Sequence, residues 1–122
     1  MGREEQQRYR TQSLRYLENA WRFLKEGEAD KAGEFLWGSM AEAIMAAAAG
    51  KDVKLVNHRQ VLHYGRSIAK EHQDERLLHA LHTANSLHGN FYEVSLGPED
   101  MWPQAEEVRA TLDRLLGLLP TS

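Results

Sequence analysis

The chain has 122 residues, 42% hydrophobic and 27% charged, with a formal net charge of -3 and no cysteine. That length supports one real hydrophobic core, while the missing cysteine excludes disulfide and thiol chemistry and leaves any metal to His, Asp and Glu. The negative charge excludes bulk attraction to a polyanion, so a nucleic-acid surface has to be a local patch.

Nearly the whole chain reads as helix. Its three prolines, Pro98, Pro103 and Pro120, all fall in the last quarter, and no segment shows the polar–apolar alternation of a half-buried strand. The spacing predicts a first helix over about 4–26, with Leu14, Leu17, Trp21 and Leu24 as its apolar stripe. Gly27 is the expected stop, since glycine accepts the left-handed conformation that ends helices. A second helix starts near Glu28–Asp30, where acidic residues suit the positive end of the helix dipole. Its expected buried face is Ala32, Phe35 or Leu36, Met40, Ala43, Ile44 and Ala47. The Ala46–Ala49 run allows a neighbour to approach closely, and Gly50 is the expected end.

After a connection over 51–56, Asn57 can cap a third helix, with Gln60 placed to reach back to it. Val61, Leu62, Ile68 and Ala69 supply its apolar side. The chain turns at Gln73-Asp74 into a fourth helix with Leu77, Leu81, Ala84, His88 and Phe91 on one face. Gly97-Pro98 marks a break and restart. A last helix carries Trp102, Ala105, Val108, Leu112, Leu115 and Leu119, with Pro103 expected in the first turn of its main part, where no backbone donor is lost. Five helices joined by short loops point to an all-α, up-and-down antiparallel helical bundle. Residues 1–122 form a single domain in this reading, ordered over about 9–117.

Several groups can carry chemistry. His88 reads either as a core histidine hydrogen-bonded to a neighbour or as an acid/base or ligand contact, with Asn90 and Glu93 near enough to orient it. Arg59, His63, Arg66 and Lys70 recur at i, i+4, i+7 and i+11, a single basic stripe able to follow a phosphate backbone or simply to face solvent. Glu75, His79 and His82 share a side of the fourth helix and offer one carboxylate and two imidazoles to a divalent ion, although the pattern matches no zinc motif and exposed histidines are common on polar helix faces. Trp37 is read as core beside Gly38, with Glu34 a candidate partner for its indole N–H. The glycines are dispersed, with no Gly-rich phosphate loop among them, so no cofactor is expected.

Taken in order, Tyr16-Leu17, Ala20, Phe23-Leu24, Gly27, Ala32, Leu36-Trp37-Gly38, Ala43, His58-Arg59, Leu87-His88 and Asn90-Phe91-Tyr92-Glu93 resemble the PaREP family of prokaryotic, mainly archaeal, helical proteins. That family is similar to the wider HEPN superfamily. The resemblance implies a helical bundle that forms a homodimer. Among superfamily members it points to metal-independent ribonucleases, toxins of toxin–antitoxin pairs and RNA-binding parts of defence systems. Their active pattern is an Arg followed after four to six residues by a His, two copies meeting across the dimer.

Paired with His88, that Arg would fall at Leu81, His82 or Thr83, and none is Arg. Arg76 with His82, and Arg66 with His72, do have the spacing. The expectation is therefore a HEPN-like module that binds RNA or a nucleotide without the superfamily's Arg–His catalysis. Its ligand-binding residues are His58, Arg59, His88, Asn90, Tyr92 and Glu93. Two alternatives stand beside it: a metal-independent ribonuclease or toxin using Arg76 and His82 across a homodimer, and a structural bundle that binds a protein partner. The opening Met-Gly-Arg-Glu-Glu lacks the apolar run of a signal peptide, and no stretch is long enough to cross a membrane, so a cytoplasmic protein without membrane contact is expected.

Overall fold

The structure is a computed structural model that describes residues 2–89 and 98–119. It contains α1 (Gly2–Lys25), α2 (Ala29–Ala49), α3 (His58–Glu71), α4 (Glu75–Gly89) and α5 (Pro98–Gly117), an all-α bundle. No described helix is long and apolar enough to cross a membrane.

The helix α2 is the hub and packs against all four others. Its sequence explains this, because it is apolar on more than one side: Ala32, Leu36, Met40, Ala43, Ile44, Ala46 and Ala48 are all fully buried. Small residues let α1 come close. Ser13 Oγ donates to the Ser39 carbonyl at 2.7 Å, and Ser39 Oγ donates back to the Ser13 carbonyl at 2.9 Å. Gln6 Nε2 donates to the Ala46 carbonyl at 3.1 Å. The buried face of α1 is thus Gln6, Ser13, Ala20 and Leu24. This corrects the expected stripe: Leu14 is exposed, while Leu17 and Trp21 pack at the margin of the core. A buried serine and a buried glutamine are invisible to an apolar-periodicity reading.

Helix ends follow local chemistry, with one exchange of roles. Gly27 (φ +80°) closes α1, its N–H on the Leu24 carbonyl and the Glu28 N–H on the Phe23 carbonyl. Gly50 does not play this part for α2. It keeps right-handed helical angles, and Asp52 (φ 59°) takes the left-handed position instead. Gly50 is small for another reason: a Cβ there would lie 2.4 Å from the Gln6 amide nitrogen. Asn57 caps α3 by accepting from the Gln60 N–H, while Gln60 Oε1 accepts from the Val56 N–H, one residue before the expected partner. Asp74 caps α4 by accepting from the Leu77 N–H at 3.0 Å. The fifth helix starts at Pro98, at the expected restart, and runs unbroken, so Pro103 lies inside it rather than in the first turn of a separate main part.

Pairs of contacting residues give the directions. Ser13 meets Ser39 and Gln6 meets Ala46, so α1 and α2 are antiparallel. Gly33 abuts Leu87, Arg114 reaches Asp74, and Trp21 meets Trp102 while Arg10 meets Leu116, so α1, α2, α4 and α5 alternate around the bundle. The third helix departs from this alternation. Trp37 lies against His58, Ile44 against Gly65 and Lys51 near Glu71, so α3 runs in the same direction as α2. Residues 50–57 carry the chain back along the bundle to allow it. Relative to α4, however, α3 is antiparallel, which brings the start of one to the end of the other.

Candidate functional site

One candidate site forms where α3 begins and α4 ends. Capping by Asn57 makes His58 the first residue of α3. His88 is in the last turn of α4, and Glu34 and Trp37 share a face of α2, one turn apart. Gly33 sets the depth of the junction. A Cβ on it would sit 2.9 Å from the Leu87 carbonyl oxygen, so only glycine lets α2 and α4 approach this closely beside His88.

Three rings gather there. The imidazoles of His58 and His88 stack with centroids 5.2 Å apart, and the Trp37 indole lies 4.4 Å from His58 and 5.9 Å from His88. Each imidazole is oriented by one polar side chain. His88 Nδ1 is 3.2 Å from Glu34 Oε2, and a carboxylate only accepts, so Nδ1 donates in this contact. His58 Nε2 is 2.7 Å from Asn85 Oδ1, an amide oxygen that also only accepts, so Nε2 donates in this contact. Trp37 is buried, whereas the side chains of His88 and Glu34 are 41% and 46% exposed. The guessed Glu34–Trp37 pairing gives way to Glu34–His88.

A second feature is electrostatic. Arg59, His63, Arg66 and Lys70 are all exposed along α3. The far end of this stripe opens into a groove of about 1140 Å³ between the end of α3, the start of α4 and the end of α5, lined by Arg66, Lys70, His72, Arg76, His82 and Arg114 among others. Arg114 is committed to Asp74, donating to both carboxylate oxygens at 2.9 and 2.8 Å. Those bonds, with the Leu77 N–H, hold the Asp74 carboxyl below the usual carboxylate range. Among the described residues no carboxylate pairs with Arg59, Arg66, Lys70 or Arg76, although Glu75 also lines the groove. Arg66 Nε donates to His82 Nε2 at 3.4 Å, so Arg76 and His82, the spaced pair on α4, lie in the same groove as Arg66 and His72.

The structure does not assemble the Glu75–His79–His82 metal arrangement. His79 Nδ1 pairs with Glu107 of α5, whose other oxygen accepts from Thr83 Oγ1 at 3.1 Å, and His82 turns to Arg66. Among the described residues no group of three or more His, Asp and Glu can hold a metal ion. The two imidazoles share a helix side, but different neighbouring helices claim them. A shallow groove along α1 holds the other perturbed carboxyl, Glu42, pushed up by burial and partly offset by Arg8.

Of the residues singled out from sequence, His58 and His88 meet, and Arg59 follows directly on His58. Asn90, Tyr92 and Glu93, with Phe91, lie outside the described residues. Sequence reasoning did not place Asn85 in the site, although it lies three residues before His88 and so on the same helical face. No local signal announces Glu34 as the partner of a residue 54 positions away.

The chain resembles a solved structure in fold. A crystal structure of a protein from Sulfolobus solfataricus superposes with a TM-score of 0.75 at 19% identity, covering 87% of this chain and 94% of that one. No curated protein matches the sequence. Residues 8–112, the span that carries most of α1, all of α2–α4 with the stacked histidines, and most of α5, match one family throughout, and the chain belongs to the archaeal PaREP1/PaREP8 family.

Proposed function

We propose that this protein is an RNA-associated binding module of the HEPN type, acting as a homodimer and without the superfamily's Arg–His catalysis. The observation that carries the reading is the convergence of Arg66, Lys70, Arg76, His72 and His82 on one open groove in a chain whose net charge is -3. Cations gathered against the overall charge make a local surface for phosphates, whose binding is driven by release of condensed counterions. Arg59 and His63 extend this surface along α3 towards His58. The ligand follows the helix as a flexible single strand.

Two observations bear on the ribonuclease alternative. Arg76 and His82 share the groove, which favours it. The lone pair of His82 Nε2, which a general base would need, is engaged by Arg66, which weighs against it. The test is incubation with a mixed labelled RNA pool in chelator, reading retention and cleavage together. Retention without cleavage, reduced in Arg66→Ala/Lys70→Ala, is the expected result. Cleavage abolished by Arg76→Ala/His82→Ala would establish the ribonuclease instead. Neither retention nor cleavage would leave the bundle as a scaffold for a protein partner.

A further inference from the structure

The ring cluster at the α3–α4 junction is more elaborate than packing requires. His58 and Glu34 are exposed and His88 is only half-buried. A polar contact at such a surface contributes little to stability. Yet both imidazoles are held by separate polar partners and laid against a buried indole. Among the described residues Glu34 Oε1 has no hydrogen-bond partner, and the amide nitrogen of Asn85, whose oxygen is taken by His58, has none either. The cluster therefore offers an aromatic layer, an acceptor-only oxygen on the exposed Glu34 and an amide donor on the partly exposed Asn85.

We propose that this cluster seats an unpaired guanine base, an inference that rests on the reading of the protein as RNA-associated. Unstacked bases are recognised by stacking on aromatic side chains, histidine included, with hydrogen bonds to their exposed edges. The imidazole layer backed by Trp37 supplies the stacking surface. The carboxylate selects the base. Guanine presents two adjacent N–H donors, N1–H and the exocyclic amino group, to a single carboxylate, one to the free Oε1 and one to the second lone pair of Oε2, whereas adenine, cytosine and uracil each present a single donor group on the corresponding edge. The Asn85 amide suits the guanine O6 acceptor. Arg59, next to His58 and with no carboxylate partner among the described residues, is placed for the adjoining phosphate and begins the basic stripe that the rest of the strand would follow.

The experiment is fluorescence anisotropy in chelator with short oligouridylate and with the same strand carrying one central guanosine or one central adenosine. The guanosine strand is expected to bind about tenfold tighter than the other two, the discrimination typical of one two-bond contact to a base edge. Glu34→Gln, a half-exposed isosteric change checked for unaltered helical circular dichroism and melting, is expected to abolish that preference, leaving the three strands with equal affinity. Arg66→Ala/Lys70→Ala is expected to weaken all three strands equally. Equal affinity of wild type for the three strands would overturn the base seat and leave RNA association standing. A guanosine preference that survives Glu34→Gln would also overturn it. Absence of binding to every strand would overturn both readings.

Discussion

The imidazoles of His58 and His88, thirty positions apart in the chain, stack with an interplanar angle of 27° and 5.2 Å between centroids. The first residue of one helix and the last turn of the next are brought together because α3 and α4 are antiparallel. Glu34 joins them only because α2 meets α4 at a glycine. The junction therefore depends on helix packing one residue away from its polar groups.

Gly33 provides a test of that dependence. Alanine is normally better than glycine inside a helix by about 1 kcal/mol. At position 33 the added Cβ would meet a backbone carbonyl at 2.9 Å, which cannot turn aside. At Gly65 it would meet the methyl ends of Ile44 and Leu81 at 2.8 and 2.9 Å, which can. Gly33→Ala is expected to destabilise by about 1–3 kcal/mol, and Gly65→Ala by clearly less. Urea midpoints of the two variants check this, and equal values would show that the Leu87 carbonyl does not set the approach.

The Ser13–Ser39 exchange should be a small but specific source of stability. Each hydroxyl donates to the other residue's carbonyl in a fully buried setting. Ser13→Ala and Ser39→Ala are each expected to cost about 1 kcal/mol, in line with a typical buried hydrogen bond. Leucine at either position would force α1 from α2 and cost more. A double-mutant cycle read by chemical denaturation measures the coupling.

Asp74 gives the fold an acid-sensitive lock. Hydrogen bonds from Arg114 and from the Leu77 N–H lower its folded-state pKa below the usual 3.8. A carboxyl depressed in the folded state contributes stability above its unfolded pKa and loses that contribution as pH falls through its folded value. Melting temperature should therefore be insensitive to this group above about pH 5 and fall below about pH 4. Asp74→Asn should lower the plateau and flatten the acid limb. A variant that follows the wild-type acid limb in parallel would show that Asp74 does not contribute to it.

Salt dependence separates phosphate contacts from base contacts. If Arg66, Lys70 and Arg76 each meet a phosphate, replacing one by alanine should reduce the slope of log affinity against log salt by about 0.7, the single-strand value per contact. Their effects should be nearly uniform across RNA sequences. Anisotropy titrations at several salt concentrations measure it, and unchanged slopes would remove the groove from the RNA surface.

Chelation should leave RNA retention intact. The histidine pair most open to a metal reading is divided between Glu107 and Arg66, which leaves no shared ion position on that face of α4. Retention lost in chelator and restored by a single divalent metal would contradict this.

By itself the sequence determined the helices and much of their local punctuation. Gly27, the Asn57 cap and the α3–α4 turn are short-range chemistry, readable from neighbouring residues, and the apolar spacing of α2 and α5 marks their core faces. The family kinship was equally legible, because it lives in the order of residues along the chain. Only the tertiary structure decided that α1 buries a serine and a glutamine, since those polar groups become tolerable once α2 supplies their partners. It decided that α3 follows α2 in direction, a choice made by the return path of residues 50–57. It also decided which carboxylate each histidine meets: His79 takes Glu107 and His88 takes Glu34. Side-chain partners across helices depend on packing depth and register, and periodicity along one helix carries no information about its neighbour.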